Sequence, residues 1–103
     1  MALSKEIYDL LREMETVRNT REYSSMFDRS DGYIRTCWSR DGEPTLTAYQ
    51  NLQDNLEAVM LDTEDFIKQH DIDDDKPYRD GISAIEDILI TIADKVREHG
   101  NKL

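Results

Sequence analysis

Asp71, Asp73 and Asp75 alternate in the stretch DIDDDKPYRDGI, the spacing at which an EF-hand calcium loop opens. Such a loop needs oxygen ligands at its first, third and fifth positions. It also needs a glycine at the sixth to make the turn and a bidentate glutamate at the twelfth. Lys76 and Ile82 stand at those two places, so the stretch reads as a solvated acidic linker. His70 and His99 are single histidines near helix ends, where helix-terminal charge or packing is the expected role. Cys37 is the one cysteine and has no histidine near it in sequence, which fits a small buried hydrophobe better than a nucleophile. No carboxylate sits in an apolar context that would tune it for proton transfer. There is no glycine-rich phosphate loop. The sequence therefore predicts no catalytic residue, no metal site, no cofactor and no enzymatic activity.

Charge is the informative property. The chain of 103 residues has a formal net charge of −10. Residues 46–75 contain nine acidic side chains against one basic, and so hold −8 of it. Binding to nucleic acid through counter-ion release needs clustered lysine and arginine. Here the field has the opposite sign, and Arg12, Arg18, Arg21 and Arg35 are interleaved with acids. At 100° per residue, Asp54, Glu57 and Asp65 fall at about 140°, 80° and 160° from Tyr49, within one sector of a helix. Leu61 falls inside that sector, at about 120°. An apolar residue ringed by carboxylates has the make-up of an interface centre with a charged rim. Asp71, Asp73, Asp74 and Asp75 extend the acidic surface past the helix end, where negative charge opposes the helix dipole.

The expected partner-binding residues are thus Asp54, Glu57, Leu61, Asp65, Asp71, Asp73, Asp74 and Asp75. The expected partner is a basic protein or nucleoprotein complex, not nucleic acid itself and not a membrane. An acidic helical face of this kind imitates a phosphate array, and charge complementarity speeds its association with a basic cleft. In size and charge the chain resembles bacterial immunity proteins against nuclease toxins and phage anti-CRISPR proteins. That likeness is one of type, with no motif matched residue by residue, and it hands over no site. It implies an inhibitor or decoy. The alternative is a non-inhibitory helical assembly module that self-associates through apolar faces, as a homodimer for instance.

The elements that must position these residues follow from periodicity. The stretch ISAIEDILITIADKV, 82–96, is the most apolar run. Ile82, Ile85, Leu89, Ile92, Ala93 and Val96 recur at helical steps, with Ile88 and Ile90 widening the face. Leu3, Ile7, Leu10, Leu11, Met14 and Val17 mark a first helix with Ser4 as N-cap, Tyr8 lying partly exposed beside it. Pro44 and Thr45 or Thr47 open a second helix, with Tyr49, Leu52, Leu56, Val59, Met60 and Ile67 on one face and Phe66 at its edge. The fold predicted is mainly α, a small bundle of three principal helices near 4–22, 45–70 and 81–99. Pro77 keeps the last two from fusing, and Gly100 marks the final stop.

The insert of about 23–44 holds Asp31-Gly32 and Asp41-Gly42, pairs that favour tight turns. It admits two readings. One is a short β-hairpin of YSSMFDR with YIRTCWS. The other is an irregular loop or helical turn in which Ile34 and Trp38 plug the bundle. In either, Trp38 is expected to be at least half buried. The length suits a single helical domain, 1–103. One cysteine, no signal-peptide core and no apolar run long enough for a membrane span together point to a cytoplasmic protein.

Overall fold

The computed structural model describes residues 3–101, with the side chains of residues 3–98. It is mainly helical, and no strand occurs among the described residues. Five helices follow in order: α1 Leu3–Glu13, α2 Thr20–Met26, α3 Tyr33–Ser39, α4 Leu46–His70 and α5 Lys76–Asn101. The chain divides into two compact units, Met1–Leu52 and Gln53–Leu103, with the division inside α4.

In the first unit, the predicted 4–22 helix is two helices. α1 ends at Glu13 because Glu15 turns left-handed, with φ of 60°. The Thr16 amide then donates to the Leu11 carbonyl at 2.9 Å, and the Glu15 amide to Arg12 at 3.0 Å. This six-to-one and five-to-two pair is a Schellman closure, which normally uses glycine at the left-handed position. Two more helices of this unit close alike. At the end of α2, Asp28 has φ of 57° and Arg29 N–H reaches the Ser24 carbonyl at 3.2 Å. At the end of α3, Asp41 has φ of 52° and Gly42 N–H reaches the Cys37 carbonyl at 2.8 Å. The glycine of Asp41-Gly42 therefore serves by smallness, not by positive φ. A Cβ on Gly42 would meet the Cys37 carbonyl oxygen at 3.3 Å.

The 23–44 hairpin is likewise replaced by helix. Asn19 caps α2 by accepting from the Glu22 amide at 2.9 Å, and Glu22 reaches back to the Arg18 amide at 2.9 Å. That reciprocal arrangement satisfies amides that have no partner within the helix. YIRTCWS forms α3, with Ile34 buried and Trp38 at least half buried, as the helical-turn alternative required.

Ser4 is not an N-cap but a fully buried residue inside α1. Its hydroxyl donates to Glu43 Oε1 at 2.9 Å and accepts from Trp38 Nε1–H at 2.9 Å. Its amide donates to Glu43 Oε2 at 3.3 Å, so Glu43 supplies from afar the acceptor that the first turn of α1 lacks. The Tyr49 hydroxyl also donates to Glu43, and the Tyr23 hydroxyl donates to the Ser4 carbonyl at 2.7 Å. Tyr23 meets Phe27 edge-on, and Phe27 meets Tyr49 in the same way, at centroid separations of 4.9 and 5.8 Å. Ile7, Leu11, Val17, Ile34, Ala48 and Leu52 complete the buried set. Leu10, expected on the α1 core face, is exposed.

The second unit contains α4 from Gln53 and then α5. The 45–70 helix is found at Leu46–His70, with the Thr45 hydroxyl capping it by accepting from the Ala48 amide at 3.2 Å. α5 begins earlier than the predicted 81, because Pro77 sits in its first turn, where its missing N–H costs nothing. It also runs through Gly100, predicted as the residue after its end. Leu56 and Ile67 on α4, and Ile82, Ile85, Ile88 and Ile92 on α5, are buried. Four of the apolar positions predicted for α5 differ. Leu89, Ala93 and Val96 are only partly buried, and Ile90 lies 61% exposed on the outer side.

Candidate functional site

The predicted acidic sector lies on α4 within the second unit. Asp54, Glu57 and Asp65 are exposed, and Leu61 among them is 58% exposed. The buried residues Leu56 and Ile67 occupy the other side of the same helix, which is why a 100° step sends the four outward. From Asp54 to Asp65 the stripe runs about 16 Å at the α-helical rise. Among the described residues none of its three carboxylates is in an ion pair.

The linker carboxylates have a different setting. Asp71, Asp73 and Asp74 are exposed, and Asp71 closes α4 with a left-handed φ of 48°. Asp75 is partly buried and takes Arg79 Nε–H at 3.2 Å. Asp73, Asp74 and Asp75 directly precede α5. The positive end of that helix dipole favours them there, which gives them a local structural reason to be acidic. The stripe on α4 has no such local reason.

One feature of this unit is not visible in linear spacing. Phe66 and Tyr78 stand either side of the turn and meet with ring centroids 5.6 Å apart, tilted by 42°. They are 40% and 38% exposed. His70 stacks on Phe66 at 4.2 Å, and its Nδ1 lies 3.1 Å from the Phe66 carbonyl. A carbonyl only accepts, so in this contact Nδ1 is the donor. Val59, Asp62 and Thr63 join the two rings to line an open groove of about 330 Å³. The sequence placed Phe66 at the edge of the α4 face, and that edge position was the available signal.

The other residues considered for chemistry stay apart from this surface. Cys37 is partly buried in α3. The side chain of His99 lies outside the described residues. No group of three metal-ligating side chains converges among the described residues, and none of their helices is long and apolar enough to cross a membrane.

An acidic, mainly helical chain with a carboxylate stripe on an outward helix face is the class these features define. The chain belongs to a family of unknown function (DUF6626), whose model matches residues 4–78. That match takes in the first unit from residue 4, all of α4, the linker and the opening of α5. No match was found among curated proteins or among solved structures.

Proposed function

We propose that this chain is a small acidic interaction protein, acting in the cytoplasm as an inhibitor or decoy on a basic surface of a nuclease or nucleic-acid-handling complex. It performs no catalysis in this reading and takes no cofactor. The observation that carries the proposal is the α4 stripe, with Asp54, Glu57 and Asp65 exposed and, among the described residues, in no ion pair, around an exposed Leu61. Unpaired carboxylates in a row steer a basic partner in, and a central apolar residue holds it once water is excluded. The linker carboxylates add to the long-range field. Capture of partners from host lysate at low and high salt tests the proposal. A basic protein retained at low salt and released at high salt is the expected result. Capture that ignores salt would contradict it.

A second reading is favoured by a separate observation. Ile90 and Leu61 are both more than half exposed, which suits an assembly module that self-associates through apolar contact. Sedimentation that shows a dimer insensitive to salt would select this reading over the first.

A further inference from the structure

We propose that the groove lined by Val59, Asp62, Thr63, Phe66 and Tyr78 seats the guanidinium of an arginine side chain supplied by the basic partner. This inference rests on the acidic-surface reading above and adds a cation seat on a different flank of α4 from the Asp54–Asp65 stripe. The groove volume of about 330 Å³ is large enough to take one long side chain. Its walls combine two features that together select a cation. Phe66 and Tyr78 are aromatic and partly exposed, with His70 stacked on Phe66, and Asp62 offers a carboxylate with no ion pair among the described residues. A cation over an aromatic face is attracted by the ring quadrupole, and a nearby carboxylate adds a charged hydrogen bond.

The other groups around the groove point the same way. The Thr63 hydroxyl donates to the Val59 carbonyl at 2.8 Å, so its oxygen faces any newcomer as an acceptor. Val59 lines the side where the aliphatic stem of a long cationic residue would lie. Residues 59–78 contain seven acidic side chains against two basic, Lys68 and Lys76. Arg79 is held by Asp75. A second copy docking through its own residues 46–75 would bring the same excess of negative charge to the groove, so charge complementarity favours a basic segment over that pairing. Arginine fits better than lysine because its planar fork both stacks on a ring and meets a carboxylate with two hydrogen bonds.

The test uses the full chain with two probes of equal charge, an arginine nonapeptide and a lysine nonapeptide, measured by calorimetry at low salt. The wild type is expected to bind both and to prefer arginine by about threefold or more, the scale of one cation–π contact. Phe66→Leu with Tyr78→Leu keeps the apolar volume and removes the π-faces. That variant is expected to keep its affinity for the lysine peptide and lose the preference. Asp54→Lys with Glu57→Lys and Asp65→Lys is expected to weaken both peptides while the preference survives. An arginine preference that persists in the double leucine variant overturns the groove proposal and leaves the acidic surface standing. Equal binding of the two peptides by the wild type does the same. Binding of neither peptide overturns the acidic surface, and the groove proposal with it. Circular dichroism confirms that each variant is folded before its affinity is read.

Discussion

The Ser4 hydroxyl donates to Glu43 Oε1 at 2.9 Å across a separation of 39 residues. Ser4 is fully buried, and the same hydroxyl is the acceptor for Trp38 Nε1–H. One small side chain thus joins α1, α3 and the segment before α4. Ser4→Ala leaves the indole N–H without its acceptor and removes one donor to Glu43, which keeps the Ser4 amide and the Tyr49 hydroxyl. Removing one member of a part-buried polar pair costs about 1–3 kcal/mol. Urea unfolding should show a loss of that size, with altered Trp38 emission in the native state. An unchanged midpoint would show that the first unit does not depend on this contact.

Alkaline pH should find the same cluster. Burial first, and then the Glu43 carboxylate, hold the Tyr23 and Tyr49 hydroxyls well above the ordinary tyrosine value of 10.0. The unfolded chain ionises these groups near that ordinary value, while the folded chain resists. Their contribution is therefore complete below pH 10 and falls away as pH rises beyond it. Tyrosinate absorbance should show fewer than five tyrosines titrating near their ordinary value in the folded protein, and all five after unfolding. Equal titration in both states would contradict the buried placement.

The helix ends offer stabilising changes. Glu15 holds a left-handed conformation that costs an L-residue about 1–2 kcal/mol. Glu15→Gly removes that strain but adds freedom to the unfolded chain, for a net gain of about 0.5–1 kcal/mol. Gly81 presents the opposite case. It lies inside α5, a Cβ there would meet nothing within 4 Å, and Gly81→Ala should stabilise by about 1 kcal/mol. Thermal unfolding of the two single variants checks both, and a lower melting temperature for either would refute its assignment.

These ends also explain what the sequence showed and what it hid. α4 was legible nearly to the residue because Pro44, Thr45 and a clear apolar face mark it locally. The break after Glu13 was hidden because acids, not glycines, take the left-handed positions at Glu15, Asp28 and Asp41. The start of α2 at Asn19, capped with Glu22, fell inside the single helix expected over 4–22 and was missed. In YIRTCWS the β-branched and aromatic residues suggested a strand, while the four-residue step from Ile34 to Trp38 carried the true period. The acidic stripe was visible because charge and helical phase are both local. The Phe66–Tyr78 pair was not, because it forms only when the chain turns back between the two helices.

The central claim concerns the α4 stripe, and its most direct test is an association rate. A partner captured at low salt is purified and its binding followed by surface resonance, for the wild type and for the variant with Asp54→Lys, Glu57→Lys and Asp65→Lys. All three positions are exposed, so the variant should keep its helical circular dichroism. Its association rate should fall by about tenfold or more at low salt, since steering by complementary charge is worth that much, and the salt dependence should flatten. Leu61→Ala should instead raise the dissociation rate. An association rate and affinity at low salt that match the wild type in the triple variant would contradict the claim.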